Sequence, residues 1–262
     1  MQQKKIIIAS HKKFSEPLSH LYLPIHVGAE GKESIGYMGD NTGNHISAFN
    51  PYYSELTGLY WAWKNLGCDY LGLVHYRRYF SGKKVKFKEG MNLDKLVLTE
   101  KELENFLNQS PILVPKKRRY YIETLYSHYA HTLDPSHLDE SRKIIEQCYP
   151  DYLSSYDKVM KQTHGYMFNM FIMRRDYVDE YCSWLFDILF RLQEVIDVSQ
   201  LSAFEARLFG RVSELLFNVW LDKKGYEVLE VPYFNAFEVN WVKKGGAFLK
   251  AKFLKKKYKE SF

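Results

Sequence analysis

His75, Tyr76, Arg77 and Arg78 follow the apolar run Tyr70–Val74 and bring a cluster of donors and an aromatic ring with no acid among them. A guanidinium presents a planar fork of N–H groups that matches phosphate oxygens, so adjacent arginines at the end of a strand suit a phosphorylated ligand. The alternative is that Arg77 and Arg78 pair with carboxylates of the core. Two other apolar runs finish in the same way. KIIIAS leads into His11-Lys12-Lys13, and PILVP leads into Lys116-Lys117-Arg118-Arg119-Tyr120-Tyr121. In open α/β sheets ligands bind outside the carboxyl ends of strands, where the strand order reverses.

The sequence motifs of other phosphate and hydrolase chemistries are absent. The chain has no GxxxxGK[ST] loop, no GxGxxG between a strand and a helix, and no GxSxG elbow. It also lacks an Asp-x-Asp; the nearest acidic pair, Glu102 and Glu104, lies in an ordinary amphipathic helical pattern. His128, His131 and Asp134 recur every three residues, a spacing that fits a metal site, a polar helix face or a substrate contact.

These residues need a sheet to hold them. Lys5–Ser10, Leu23–Val27, Tyr70–Val74, Pro111–Pro115, Met167–Met173 and Glu227–Val231 read as strands. Asn50-Pro51 opens a helix that Gly67 closes, and Thr99 with Glu102 forms a capping box for a helix over 99–109. Residues 123–162 read as helical with a break at Leu133-Asp134-Pro135, and 176–196 and 207–223 as further helices. Glu30–Asn50 is a polar, glycine-rich loop, long enough to suggest function. The pattern predicts an α/β fold with helical additions: one domain over 1–240 and a basic tail over 241–262.

The chain has 262 residues and a net charge of +6, and its aromatic share of 16% suits both a core and a sugar or nucleotide pocket. From Trp241 to Phe262 there are eight lysines and one acid, so the remainder is nearly charge-balanced. That tail, with interleaved Phe248, Leu249, Phe253, Leu254 and Tyr258, suits either an anionic membrane surface or plain solvation. A nucleic-acid module would need a basic stripe over the fold itself, so none is expected as a partner. Three widely spaced cysteines point to a reducing compartment, and no run is long enough to span a membrane. The expected location is cytoplasmic, peripheral to the inner face of the membrane.

IIIASHKK, VGA, GDNTGNHIS, NPYYSELTGLYWAWKN and YLGLVHYRRYF, in that order, resemble a family encoded in bacterial capsular and exopolysaccharide clusters. GYMFNMFIMRRDYVDEYCSWLF and RLFGRVSELLFNVWL resemble its later blocks. The family's domain long carried only an unknown-function label. It is classed with glycosyltransferases, and some members are assigned as galactofuranosyltransferases. The resemblance implies a GT-A-like, Rossmann-type nucleotide-sugar-binding domain that moves a sugar from a UDP-sugar donor to a lipid-linked oligosaccharide. An alternative is a non-catalytic nucleotide-sugar-binding or assembly protein of a polysaccharide complex.

On this resemblance His75, Arg77 and Arg78 take the place of a metal-binding Asp-x-Asp beside the donor diphosphate. No cofactor is then expected and a metal is not favoured. Glu214 is placed as the base that takes the acceptor proton, or else as an acid that stabilises a helix N-terminus, with Asp40 and Glu55 as lesser candidates for the base. Ser10, His11, Lys12, Val27, Gly28, Ala29, Asp40, Asn41, Asn44 and Tyr76 are expected near the donor. His128, His131, His164 and Asn169 are expected near the acceptor.

Overall fold

The computed structural model describes residues 2–237. The order of elements begins β1 (Lys4–Ser10), β2 (Tyr22–His26), β3 (Met38–Gly39), α1 (Asn50–Tyr53), α2 (Leu56–Asn65), β4 (Tyr70–His75) and β5 (Arg78–Phe80). It continues with α3 (Glu100–Leu107), β6 (Ile112–Pro115), β7 (Arg118–Arg119), α4 (Leu125–Ala130), α5 (Ser136–Cys148), α6 (Leu153–Met160) and β8 (His164–Gly165). The last elements are β9 (Phe171–Arg174), α7 (Arg175–Val195), α8 (Leu208–Lys224), β10 (Leu229–Val231) and β11 (Tyr233–Asn235).

The main sheet runs β10-β6-β9-β4-β1-β2-β3, with β5 joining β4 to β11. β1 is parallel to both β2 and β4, and β9 is antiparallel to both β4 and β6. The chain builds outward from β1 through β2 and β3, then returns to lay β4 on the other side of β1. The strand order therefore reverses between β1 and β4, and their register places Ala9 opposite His75. β7 and β8 form a separate two-stranded ribbon in which Arg118 faces Gly165.

Period-2 alternation makes β1 feed two cores. Ile7 and Ala9 pack on the side of α2 and α5–α8, while Ile6 and Ile8 pack against Phe80, Leu98, Val231 and Phe234 on the other. The predicted capping box is present at Thr99 and Glu102.

Two predicted elements differ from the structure. The single helix predicted from Asn50 to Gly67 is interrupted, because Ser54 adopts φ 54 between α1 and α2. The strand predicted over Met167–Met173 begins only at Phe171, because Phe168 and Asn169 take φ 78 and 50 in a turn. Both departures lie beside the site described below. The basic tail falls outside the described residues. Among those described, no helix is long and apolar enough to cross a membrane.

Candidate active site

A cavity of about 970 Å³ opens at the carboxyl ends of β1 and β4. Ser10, His11 and Val27 reach it from the β1–β2 side, and His75, Tyr76, Arg77 and Arg78 from the end of β4. Asn50, Ser54 and Glu55 line it from the α1–α2 junction, and Arg207, Gly210, Arg211 and Glu214 from α8 and the residue before it. Arg118, Arg119, Tyr120, Tyr121 and Ile122 close a further side together with His128.

The carboxylates Glu55 and Glu214 share this cavity, and the turn at Phe168–Asn169 fixes them. Asn169 Nδ2 donates to Glu55 Oε1 at 2.6 Å and to the Gly210 carbonyl at 2.9 Å. Ser213 Oγ donates to Asn169 Oδ1 at 2.9 Å, which settles the orientation of the amide. The Phe168 carbonyl lies 2.7 Å from His75 Nε2, so that nitrogen carries the proton and donates. Glu55 Oε1 lies 3.9 Å from the same nitrogen. The Phe168 N–H points at the Glu214 carboxylate, and the Phe168 ring lies 4.4 Å beneath the Arg78 guanidinium.

Ser54, Phe168 and Asn169, all non-glycine residues in the left-handed region, thus meet at one place. Such backbone typically costs about 1–3 kcal/mol per residue and persists only where surrounding contacts enforce it. At Ser54 the Asn50 amide and the Thr57 hydroxyl both donate to its carbonyl, and at Phe168 and Asn169 the contacts come from α8. Asn218 Oδ1 accepts from Tyr166 N at 2.7 Å, and its Nδ2 donates to the carbonyls of Tyr166 and Glu214 at 2.9 and 2.8 Å.

Burial, reinforced by the nearby charge of Glu55, pushes the Glu214 carboxyl above the usual glutamate range; the Phe168 N–H, Arg78 and Arg118 oppose this. Burial also lowers His75, against the pull of Glu55. Arg78 is held by its Nε bond to Asn235 Oδ1 at 3.2 Å. Arg77 is exposed, with its guanidinium 4.1 Å from the Phe237 ring centre. Glu214 lies in the second turn of α8 rather than at its start, and caps nothing.

Several expected site residues stand elsewhere. Asp40 is wholly buried; its carboxylate accepts from Gly28 N at 2.9 Å, Ala29 N at 3.1 Å and Ser47 Oγ. It anchors the loop after β2 and does not line the cavity, and neither do Gly28 and Ala29 themselves. Gly28 has φ 68, and a Cβ there would come within 2.5 Å of the Asn50 side chain. Asn44 exchanges bonds with Asn65 at the end of α2, and Asn41 is exposed, both away from the cavity lining. Lys12 turns onto the Tyr76 ring at 5.4 Å instead of entering the cavity.

His128 lines the cavity, but its Nδ1 and that of His131 both bond the buried Glu123, each at 2.9 Å. Their shared carboxylate is structural, and His131 and His164 lie outside the lining. Asn169 also lies outside it and acts through Glu55. Among the described residues no group of three or more His, Cys, Asp or Glu could hold a metal ion. Arg207 and Arg211 were not legible as site residues, because they sit in an amphipathic helical pattern that reads as ordinary surface.

A parallel-dominated sheet, a reversal of strand order and a cavity at the strand ends together define the GT-A-like α/β class expected from the sequence. The chain belongs to the family described as Domain of unknown function (DUF4422), which it matches over residues 5–225. The solved apo structure of WbbM, a bifunctional glycosyltransferase, is similar to it with a TM-score of 0.84 and 31% identity. That match covers 90% of this chain and 46% of the other, so this chain spans about half the length of that protein. No curated protein matches.

Proposed function

We propose that the chain is a glycosyltransferase that moves a sugar from a nucleotide-sugar donor to an acceptor hydroxyl. The observation that carries this is the cavity at the β1–β4 switch point, where arginines surround two fixed carboxylates. Its likeness over 90% of the chain to a glycosyltransferase supports the same reading.

In this reading the donor diphosphate lies against His11, Arg77 and Arg78, with the nucleoside toward Ser10 and Val27. Glu214 takes the proton of the acceptor hydroxyl as its oxygen forms the new bond to the sugar's anomeric carbon. The bond from that carbon to the diphosphate breaks, and the electron pair leaves with the nucleotide. Arg78 and Arg77 stabilise that departing charge in place of a metal ion. Burial makes Glu214 a stronger base than an exposed glutamate, which suits the task. Glu55, held by Asn169 and close to His75, keeps the floor of the cavity polarised.

We further read the donor as UDP-linked, with galactofuranose the sugar that the family resemblance suggests. The acceptor is read as a lipid-linked oligosaccharide of surface-polysaccharide synthesis, met at the inner face of the membrane. The test is a panel of UDP-sugars assayed for binding and slow hydrolysis, with and without EDTA. Saturable binding that survives EDTA, with hydrolysis lost in E214Q, is expected. Binding without hydrolysis by the wild-type protein would point to the non-catalytic alternative, and no binding would overturn both.

A further inference from the structure

We infer that the segment from β7 into α4 is a second anion subsite, and that it takes the diphosphate of a prenyl-diphosphate-linked acceptor. The inference rests on the nucleotide-sugar reading above and names where the acceptor's own phosphates would sit.

The first observation is charge. The cavity is lined by six arginines, Arg77, Arg78, Arg118, Arg119, Arg207 and Arg211, against the two carboxylates Glu55 and Glu214. The donor's diphosphate brings one negative charge on each phosphate; even with Arg211 set aside, the other five arginines outnumber these charges and the two carboxylates, which favours a second anion. The arginines also come from separate places. Arg77 and Arg207 lie within electrostatic reach of His11 at the switch point. Arg118 and Arg119 instead come from the small β7–β8 ribbon.

Arg118 stacks over the Tyr120 ring at 4.9 Å, and that ring packs 4.1 Å from His128. Arg142, Arg174, Arg175 and Arg191 each hold a carboxylate, whereas Arg118 and Arg119 have no such ion pair among the described residues. Arg118 is felt by the Glu214 carboxylate and Arg119 by His164, and among the described residues neither holds a carboxylate as a direct partner.

The second observation is the apolar tip beside them. Tyr121 and Ile122, next along the chain, are 82% and 67% exposed and still line the cavity. Tyr121 is turned outward by a φ of 61. The segment is nonetheless firmly held. Tyr120 N donates to the Thr163 carbonyl at 2.8 Å, and the buried Glu123 carboxylate ties the segment to His128 and His131 on α4. Arg118, stacked on Tyr120, and its neighbour Arg119 both line the cavity, and two exposed apolar side chains follow them. The set matches an amphipathic anion: a diphosphate head with a hydrocarbon chain leaving along Tyr121 and Ile122. A free phosphate would use the arginines and gain nothing from the tip.

The experiment is calorimetric titration of the full chain, first with UDP and then, with UDP saturating, with farnesyl diphosphate or inorganic pyrophosphate. With UDP bound, farnesyl diphosphate is expected to fill one further site, more tightly than pyrophosphate. R118Q and R119Q should each weaken that second event about tenfold or more while UDP affinity stays nearly unchanged. R118K, which keeps the charge, should recover part of the loss, separating electrostatics from misfolding. Replacing Tyr121 and Ile122 together by serine should remove the advantage of farnesyl diphosphate and leave pyrophosphate binding in place. Equal affinity for the two anions would overturn the lipid assignment. No second site, or one indifferent to R118Q and R119Q, would overturn the subsite and leave the donor reading intact. Failure of UDP itself to bind would remove the reading on which the inference rests.

Discussion

Asn169 grips Glu55: its amide donates at 2.6 Å to Oε1 while its own oxygen accepts from Ser213 at 2.9 Å. This bond joins the α1–α2 junction to the turn before β9, and the bonds of Asn169 to Gly210 and Ser213 extend the link to α8. Asn169→Ala should leave Glu55 without its amide donor in a largely buried setting, while Ser213 Oγ keeps its bond to the Gly210 carbonyl at 2.8 Å. The expected cost is about 1–3 kcal/mol of stability, together with a fall in turnover. Asn169→Asp should be worse, because it sets a second carboxylate against Glu55. Thermal melts and rates at wild-type level in both variants would show that the grip is unimportant.

The pH profile offers a separate check. Glu214 titrates above the usual glutamate range, first because it is buried and then because Glu55 is charged nearby. If Glu214 must be ionised to accept a proton, the acid limb of kcat/KM should lie higher than an exposed glutamate would place it. Glu55→Gln removes the repelling charge, so the limb should move to lower pH in that variant. An unchanged limb would assign it to another group.

The two arginines at the end of β4 should differ in effect. Arg78 is fixed by Asn235 and Phe168, whereas Arg77 is exposed. Arg78→Gln is expected to cost about 2–4 kcal/mol of transition-state stabilisation, read mainly in kcat. Arg77→Gln should act more weakly and mainly on KM for the donor. Single-turnover kinetics would separate the two, and equal losses would contradict the distinction.

Asp40 makes the opposite prediction. It is buried with both oxygens engaged, and it lies outside the cavity lining. Asp40→Ala should lower stability by about 3 kcal/mol or more by orphaning the Gly28 and Ala29 N–H groups. UDP affinity of the folded fraction should be retained. A selective loss of nucleotide binding with normal stability would return Asp40 to the donor site.

Mild acid should weaken the fold. Burial lowers the pKa of both His75 and His128 in the folded chain, so both take up protons more readily when unfolded. Stability is then greatest above the ordinary histidine range and declines as pH falls below about 6.5. Melting temperatures measured from pH 7.5 to 5.5 should fall, and less so in His128→Gln.

The basic ends of β1 and β4 were readable from the chain because an apolar run followed by donors has few other uses. The same holds for the sheet itself and for the capped helix α3. What escaped was the backbone that turns these parts into a site. Nothing in NPYYSELTG marks Ser54 as a left-handed residue, since serine in that pattern continues a helix as readily as it breaks one. Phe168 and Asn169 were hidden for the same reason inside an apolar run. Asp40 illustrates the converse: an acid in a glycine-rich loop looks like a ligand until its three hydrogen-bond donors are seen.

The way Glu55 is held also bears on how the molecule comes into being. Its partner Asn169 lies 114 residues away, and His75 reaches the Phe168 carbonyl across 93. Asn169 is in turn fixed by Gly210 and Ser213 on α8. Contacts so distant along the chain form late, because long loops must close before they are rewarded. During synthesis, a chain that has not yet emitted α8 already carries β1, β4 and the arginines Arg77 and Arg78. It has no Glu214 and nothing to clamp the turn that orients Glu55. Arg77 and Arg78 are therefore made well before Glu214, and α8, the last long helix among the described residues, brings the groups that complete the site.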